Sequence, residues 1–582
     1  MAVTAVFVLS LVLSTYGFLL DNAPTSSENS LFNSQYTGNG ETPLYWRNRA
    51  KSDLDNSIKN QPIIGKAKNT IIMLGDGMSM TTVTSARILK GQLNGKTGEE
   101  TILSWETFPN LALSKTYTQD YTTPDSAGTA TAFLSGVKTN KGVIGVDASV
   151  PRGHCDPSPT HQLSTILDWS LAEGKSVGIV TTARITHATP SSAYAHVADR
   201  GWEGDHYTQH VTGGCKDIAL QLVEDNPNIQ VLMGGGRRFF LPYTAQDPES
   251  GSNTHYGRRD GRDLIKEWEN DKTARNMSHK YVWNSKQFHQ TNFSQLDYFL
   301  GLFDSSSMAY ELDRFDTHYE VAGEPSLAEM TEAAITILQK NPKGFFLLVE
   351  GGKIDLAHHG NHAVKALHET LAFNDAVAKM DSMTNDRDTL AVVTADHSHT
   401  MVLAGYPARG NDILGLIKNS AGKLELAKDH KPLTSLIYGT GPGAWSGIRP
   451  DLTGVNTDDK EYVSESAIPF NPSTHAGEDV VIYAKGPMSH LFHATHEQNY
   501  IPHVLAFAKP PSYNRKPPSY NRKPPSYNRK PPSYNRKPPS YKRKPPSYNR
   551  KPPSYNRKPP SYNRKPPSYN RKPPSYNRKP PS

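Results

Sequence analysis

The chain has 582 residues, 64 Lys and Arg against 56 Asp and Glu, and two cysteines. That length admits one large core or several domains, and two cysteines outside any CxxC pattern exclude a thiolate metal cluster. The formal charge of +8 does not signal a nucleic-acid partner: 22 basic residues and no acidic ones fall after residue 508, so the rest of the chain holds 42 against 56, a net of −14.

Residues 1–20, MAVTAVFVLSLVLSTYGFLL, form an apolar run followed by polar DNAPTSSENS, the pattern of a secretory signal. Its start carries no Lys or Arg, so an uncleaved N-terminal anchor stays open as the alternative. Cleavage is expected between Gly17 and Ala23. The first strand-like run, NTIIMLGD, ends at Asp76. In YTTPDSAGTATAFLSGVKT (121–139), Pro124 stops what precedes it, and Ala, Gly, Thr and Ser fill most of Ala127 to Gly136. Such a thin-coated helix can pack backbone-close against a neighbour. Asp125 or Ser126 would cap it. Either this is a tightly packed core helix, or Ser126 is a nucleophile at a helix N-terminus that favours an anion.

SVGIVTTARITH then runs to His187, with Thr189 just beyond. IQVLMGGG ends in glycines 234 to 236, GFFLLVEGG ends at Glu350, TLAVVTADHSH ends at Asp396 and His397, and DVVIYAKG ends at Gly486. Continuous apolar runs of this length read as strands buried on both faces, so a mostly parallel sheet is expected. Helical stretches such as His362–Met380 lie between them, which makes the fold class α/β, a central sheet flanked by helices. In such sheets the ligand site lies outside the carboxyl ends of the strands. One acidic residue after a strand is usually a helix cap; Asp76, Glu350 and Asp396 together would repel one another unless cations hold them. EGGKIDLAHHG places Asp355 and His359 four apart, on one face of a helical turn, and STHAGED offers His475 before another strand. Mixed His and Asp sets suit zinc; all-oxygen sets suit magnesium. Two N-x-S sequons, at Asn276 and Asn292, fit a secreted surface.

The runs MLGDGM, DSAGTATAFLSGVKTNKGVIGVD, VEGGKIDLAHHG, TADHSHT and STHAGEDVVIYAKGP resemble those of the metazoan alkaline phosphatase family. The resemblance runs in consistent order from about residue 44 to about residue 508. It implies a phosphomonoesterase acting through a phosphoserine at Ser126. It assigns one zinc to Asp355, His359 and His475, a second to Asp76, Asp396, His397 and Ser126, and magnesium to Asp76, Thr189 and Glu350. His187 takes a metal-site position that holds Asp in bacterial relatives and His in animal ones. Arg200, in AHVADRGW, takes the place of the phosphate-clamping arginine. A calcium site is implied at Glu249, Asp304, Glu324 and the backbone carbonyl of Phe303. Cys155 and Cys215 match one of the family's disulfides, and the family is homodimeric. The implied substrates are phosphate monoesters with little discrimination of the leaving group.

From Lys509 the sequence repeats KPPSYNR, with Lys542 where the other copies have Asn. These 74 residues hold ten tyrosines and 22 prolines and cannot build a core, so a disordered, extended tail is expected. The organisation is therefore a signal at 1–20, an enzyme domain at 44–508 and a repeat tail at 509–582. No apolar C-terminal segment of the kind exchanged for a lipid anchor is read there. A plain solvated tail and a PPxY ligand for WW domains are two readings; the repeats also resemble those of mussel adhesive and mollusc matrix proteins, which favours an anchor to extracellular matrix or mineral. Two functions stay open: a secreted phosphatase localised by its tail, and a structural or adhesive matrix protein on a phosphatase fold that has lost activity.

Overall fold

The structure is a computed structural model that describes residues 41–254, 256–314 and 323–508. The signal segment and the repeat tail lie outside the described residues. Fifteen strands follow one another: β1 (Asn69–Gly75), β2 (Asn110–Lys115), β3 (Ser176–Arg184), β4 (Val231–Gly235), β5 (His279–Val282), β6 (Tyr298–Leu302), β7 (Phe345–Gly351), β8 (Thr389–Ala395), β9 (Ser398–His399), β10 (Met401–Leu403), β11 (Leu436–Gly441), β12 (Ser466–Pro469), β13 (His475–Ala476), β14 (Val480–Lys485) and β15 (Thr495–Glu497). Ten of them form one sheet in the order β15-β2-β14-β8-β1-β7-β3-β4-β6-β5. Every neighbouring pair is parallel except the two that β14 makes with β2 and β8.

The pleat divides the core. Ile72 and Leu74 of β1, Phe346 and Leu348 of β7, and Leu390 and Val392 of β8 point to one face. Ile71 and Met73, Phe345, Leu347 and Val349, and Ala391 and Val393 point to the other. The second face is covered by the helices Met80–Leu93, Leu327–Leu338 and Ala363–Met383. Burying each such Leu, Ile or Phe is worth about 1.5–3 kcal/mol, so both layers are held by the strands that carry the site.

The continuous apolar runs expected as strands correspond to β1, β3, β4, β7, β8 and β14. Sequence reading did not separate β2, β5, β6 and β15, and it gave no sign that β14 runs backwards. The helix Ser126–Ser135 also differs from expectation. Its small residues serve an approach to other helices, Ala188–Ser191, Tyr500–Phe507 and Ile166–Ala172, more than to the sheet. At Gly128 an added Cβ would meet Thr118 Cγ2 at 2.5 Å, so the bare backbone is required there. Among the described residues no helix is long and apolar enough to cross a membrane. Cys155 and Cys215 form a disulfide, with their Cα atoms 5.8 Å apart.

Candidate functional site

The site forms where β1, β7 and β8 end together. Leu74 pairs with Glu350 and Gly75 with Ala395, so Asp76, Glu350 and Asp396 emerge at one level. All three are fully buried. On the other side of β7, Thr181 of β3 pairs with Glu350, and its Oγ1 donates to Glu350 Oε2 at 2.5 Å. Burial is the largest force on these carboxyls, and their mutual repulsion adds to it. Asp76 is raised well above the usual carboxylate range, Asp396 to about 6, and Glu350 to about 7 even with Thr181 opposing.

After β7 the chain enters the helix Lys353–His359, which brings Asp355 and His359 onto one face, Oδ2 to Nε2 3.2 Å. His475 Nε2 lies 3.2 Å from His359 Nε2 and 3.4 Å from Asp355 Oδ1. The His475 ring stacks on that of His397 at 3.6 Å. Each of the three imidazoles has its Nδ1 against a backbone carbonyl: His359 on Ser473 at 2.6 Å, His475 on Pro124 at 2.9 Å and His397 on Ser398 at 3.1 Å. A carbonyl only accepts, so Nδ1 carries the hydrogen in each ring and Nε2 is left as the lone-pair nitrogen. Nε2 lone pairs and buried carboxylates converging in this way are repulsive without a cation among them. Both oxygens of Asp76, Asp355 Oδ1, Glu350 Oε1, Thr189 Oγ1 and His399 Nε2 are buried without a hydrogen-bond partner. This donor set fits divalent metal ions.

Among the described residues two groups close tightly enough to hold an ion: Asp355, His359, His399 and His475, and Asp76, Asp355 and His397. Asp355 belongs to both. Asp396 stands beside the second, its Oδ2 3.1 Å from His397 Nε2 and its Oδ1 accepting from Gly77 N and His397 N. His399 was missed in the sequence. It follows His397 by two residues in an extended segment, where period-two spacing puts both rings on one side, and β9 pairs it directly with His475. Behind it, buried His358 binds Thr82 Oγ1 at 3.0 Å and the Tyr438 hydroxyl at 2.8 Å and stacks on His399.

Ser126 is the first residue of its helix. Asp125 is the cap, accepting from Gly128 N through Oδ1 at 3.2 Å. Ser126 Oγ lies 3.3 Å from His397 Nε2. Asp125 also accepts from Gly142 N and, through Oδ2, from Arg200 Nη1 at 3.0 Å. Burial works to raise its carboxyl, and Arg200 with the two backbone donors outweighs it, so the group stays below the usual range. Arg200 Nη2 donates to His187 Nε2 at 3.1 Å. His187 therefore accepts as the neutral ring, and burial beside Arg184 and Arg200 holds its pKa well below the ordinary value. The Arg200 side chain keeps 22% of its surface open, enough to offer its guanidinium to a ligand. Arg200→Ala is expected to weaken inhibition by inorganic phosphate by about tenfold or more, the worth of a charge-assisted hydrogen bond. Asp125 would retain its two backbone donors, so the fold should persist. Unchanged phosphate inhibition would count against the clamp.

The residues expected at a calcium site lie apart from this centre. Glu249 Oε2 accepts from Arg237 Nη2 at 2.8 Å, Asp304 Oδ1 accepts from Ser306 N, and Glu324 Oε2 accepts from Ala309 N. Phe303 is buried at the end of β6. Glu324 Oε1 is buried without a partner, and burial with neighbouring Asp304 pushes that carboxyl up to about 8. The four do not close into a tight donor group in the way the other two sets do.

The sequence model of the alkaline phosphatase family matches residues 67–510. The tissue-nonspecific alkaline phosphatase isozyme of Gallus gallus is 47% identical over 480 residues, 81% of this chain and 90% of that protein. The alkaline phosphatase of Gadus morhua is 46% identical over 480 residues, 81% and 98% of the two chains. The tissue-nonspecific isozyme of Homo sapiens is 46% identical over 485 residues, 82% and 90%. Among solved structures, the alkaline phosphatase of Thermus thermophilus superposes with a TM-score of 0.54 at 22% identity, covering 78% of this chain and 93% of that one. That of the Antarctic bacterium TAB5 gives 0.52 at 22% identity, 76% and 98%. Those two show the fold. With one family matched over most of its length and relatives nearly half identical to it across four fifths of its residues, the chain belongs to the alkaline phosphatase family and is a phosphomonoesterase.

Proposed function

We propose that Ser126 is the nucleophile of a two-step phosphoryl transfer, that Arg200 clamps the phosphate, and that the metals are two zinc ions and one magnesium ion. The observation that carries this is the placement of Ser126 Oγ, at a helix N-terminus and 3.3 Å from His397 Nε2, against side chains whose lone pairs point to one centre. Asp355, His359 and His475 would hold one zinc, Asp76, Asp396, His397 and Ser126 the other, and Asp76, Thr189 and Glu350 the magnesium, with His187 beside them. Bound there, the ions supply positive charge that favours the serine alkoxide and offsets the charge of the transferring phosphoryl group. A variant of the TAB5 enzyme is described with magnesium bound.

Ser126 Oγ displaces the ester oxygen from phosphorus, and water then displaces Oγ. The N–H groups at the start of the Ser126–Ser135 helix face the developing charge. Arg200 presents two N–H groups to phosphate oxygens while Asp125 and His187 hold its plane. Acid-quenching a turnover mixture containing radiolabelled phosphomonoester should leave label on the Ser126 peptide. Label on another residue would displace the assignment.

Calcium at Glu249, Phe303, Asp304 and Glu324 is part of the same reading, supported by the partnerless Glu324 oxygen. A homodimer is supported by the helix Pro43–Lys59, which buries none of its residues while exposing Leu44, Trp46, Leu54 and Ile58. Secretion is supported by the disulfide and by the exposed sequon asparagines Asn276 and Asn292, which are proposed to be glycosylated. The tail is proposed to anchor the enzyme to anionic matrix or mineral. A chain ending at Ala508 is expected to keep its turnover, because every assigned residue lies at or before His475. With a net charge of −14 against +8 for the whole chain, it should lose retention on an anionic support at low salt. Equal retention of the two chains would remove the anchor. Lost turnover would show that the tail supports the fold.

A further inference from the structure

We propose that a cavity beside the phosphate site, built on Tyr117 and Tyr121, holds the leaving group of the substrate and favours planar rings with polar edges, such as the base of a nucleoside monophosphate. The inference rests on the assignment of Ser126 as nucleophile and names the substrate class for that same site.

The cavity measures about 360 Å³ and is lined by residues 115–122 together with Gly477 and Asp479. The first wall is the segment that leaves β2 and leads through Pro124 and Asp125 to Ser126. The second follows His475, whose Nδ1 donates to the Pro124 carbonyl at 2.9 Å. The walls meet at Gly477, where an added Cβ would lie 3.1 Å from Thr123 Oγ1 and 3.4 Å from the Thr122 carbonyl oxygen. β2 and β8 both pair antiparallel with β14, so β2 ends at the same edge of the sheet as β8 and Asp396. Cavity and nucleophile thus share one rim and one stretch of backbone.

The rings are fixed before any ligand arrives. Tyr117 and Tyr121 are 43% and 54% exposed, and each has a lysine ammonium against its ring, Lys138 at 3.3 Å and Lys141 at 4.8 Å. Lys138 Nζ also donates to the carbonyls of Lys115 and Tyr117, at 3.2 and 2.8 Å. Asp120 Oδ1 ties the loop, accepting from Thr118 Oγ1 at 2.9 Å and from Lys141 N at 2.8 Å. A held aromatic ring loses little freedom when a second ring stacks on it. The charge at the rim is spent locally: Glu497 binds Lys115 at 3.0 Å and Lys138 at 2.9 Å. The cavity therefore has no unpaired cation for a second phosphate. It offers ring faces and the carboxylates of Asp120 and Asp479, which accept from hydroxyl and amino groups, and these together match a ribose and a base.

The test compares the wild-type holoenzyme with Tyr121→Ala, Tyr121→Leu and Tyr121→Phe. Each is measured for kcat/KM on adenosine 5′-monophosphate and on glycerol 2-phosphate, which has no ring. The ratio of the two values is expected to fall about tenfold in Tyr121→Ala and Tyr121→Leu, mainly through KM for the nucleotide, in line with the worth of one stacked base. Tyr121→Phe should keep the ratio within about twofold, because the face remains. Leu preserves bulk, so a fall in both Ala and Leu separates the loss of a ring from collapse of the loop. An unchanged ratio in both, or an equal loss on the two substrates, would overturn the subsite. Wild-type enzyme that turned over neither substrate would instead overturn the assignment of Ser126.

Discussion

Stripping the enzyme of divalent cations with a chelator is expected to abolish turnover and lower its melting temperature, and zinc together with magnesium should restore both. Asp76, Glu350, Asp355 and Asp396 are all essentially out of water, and both oxygens of Asp76 lack a hydrogen-bond partner. Deprotonated together, they repel at short range in a medium that screens poorly. An ion that binds only the folded chain, present at a thousand times its Kd, adds about 4 kcal/mol of stability, so removing several should be plain in a thermal scan. Magnesium alone should not restore activity, because the two tight donor groups contain imidazoles and magnesium prefers an all-oxygen shell. Turnover that persists through exhaustive chelation, with metal analysis confirming its removal, would sink the metal reading.

Replacing Ser126 with alanine should lower kcat by about three orders of magnitude or more, because the route through a covalent intermediate is lost. The fold should scarcely notice. Ser126 is the first helical residue and not the cap; Asp125 satisfies the Gly128 N–H, and alanine is a good helix former. The only side-chain partner lost is His397 Nε2 at 3.3 Å. Stoichiometric metal content and an unchanged melting temperature would confine the effect to chemistry. A variant that still takes label from substrate phosphate would place the nucleophile elsewhere.

Much of this centre was legible because parallel sheets announce themselves. A strand buried on both faces is apolar throughout, and its end is marked by the first polar residue. That is how Asp76, Glu350 and Asp396 could be read as emerging together, and β1, β7 and β8 do run side by side. What was not legible depended on contacts distant in sequence. β2 alternates buried and exposed positions along its second half, a weak signal beside the continuous runs. The reversal of β14 follows from pairing with β2 and β8, which its apolar sequence does not encode. Thr181 looks like any strand threonine until Glu350 is seen across from it. His399 carried a readable signal in its spacing from His397, which was passed over because the Asp396–His397 pair already explained the motif. The dual task of Asp125, capping one helix and steadying Arg200, needed both partners to be placed.

The strand order also governs how the molecule comes to be made. β1 is among the first strands to leave the ribosome, yet its neighbours are β7 and β8: Thr70 pairs with Phe346 and with Leu390. Ile71, Ile72, Met73 and Leu74, all buried in the finished protein, therefore wait through most of translation without their partners. High contact order makes such assembly slow, and unpaired apolar strands are prone to aggregate. β14 and β15 arrive last and complete the β2 side of the sheet, so a nascent chain released early would hold an open edge and a half-built centre. Biosynthesis of this enzyme should accordingly depend on chaperones more than its final stability suggests, and its yield should fall first when the supply of holdases does.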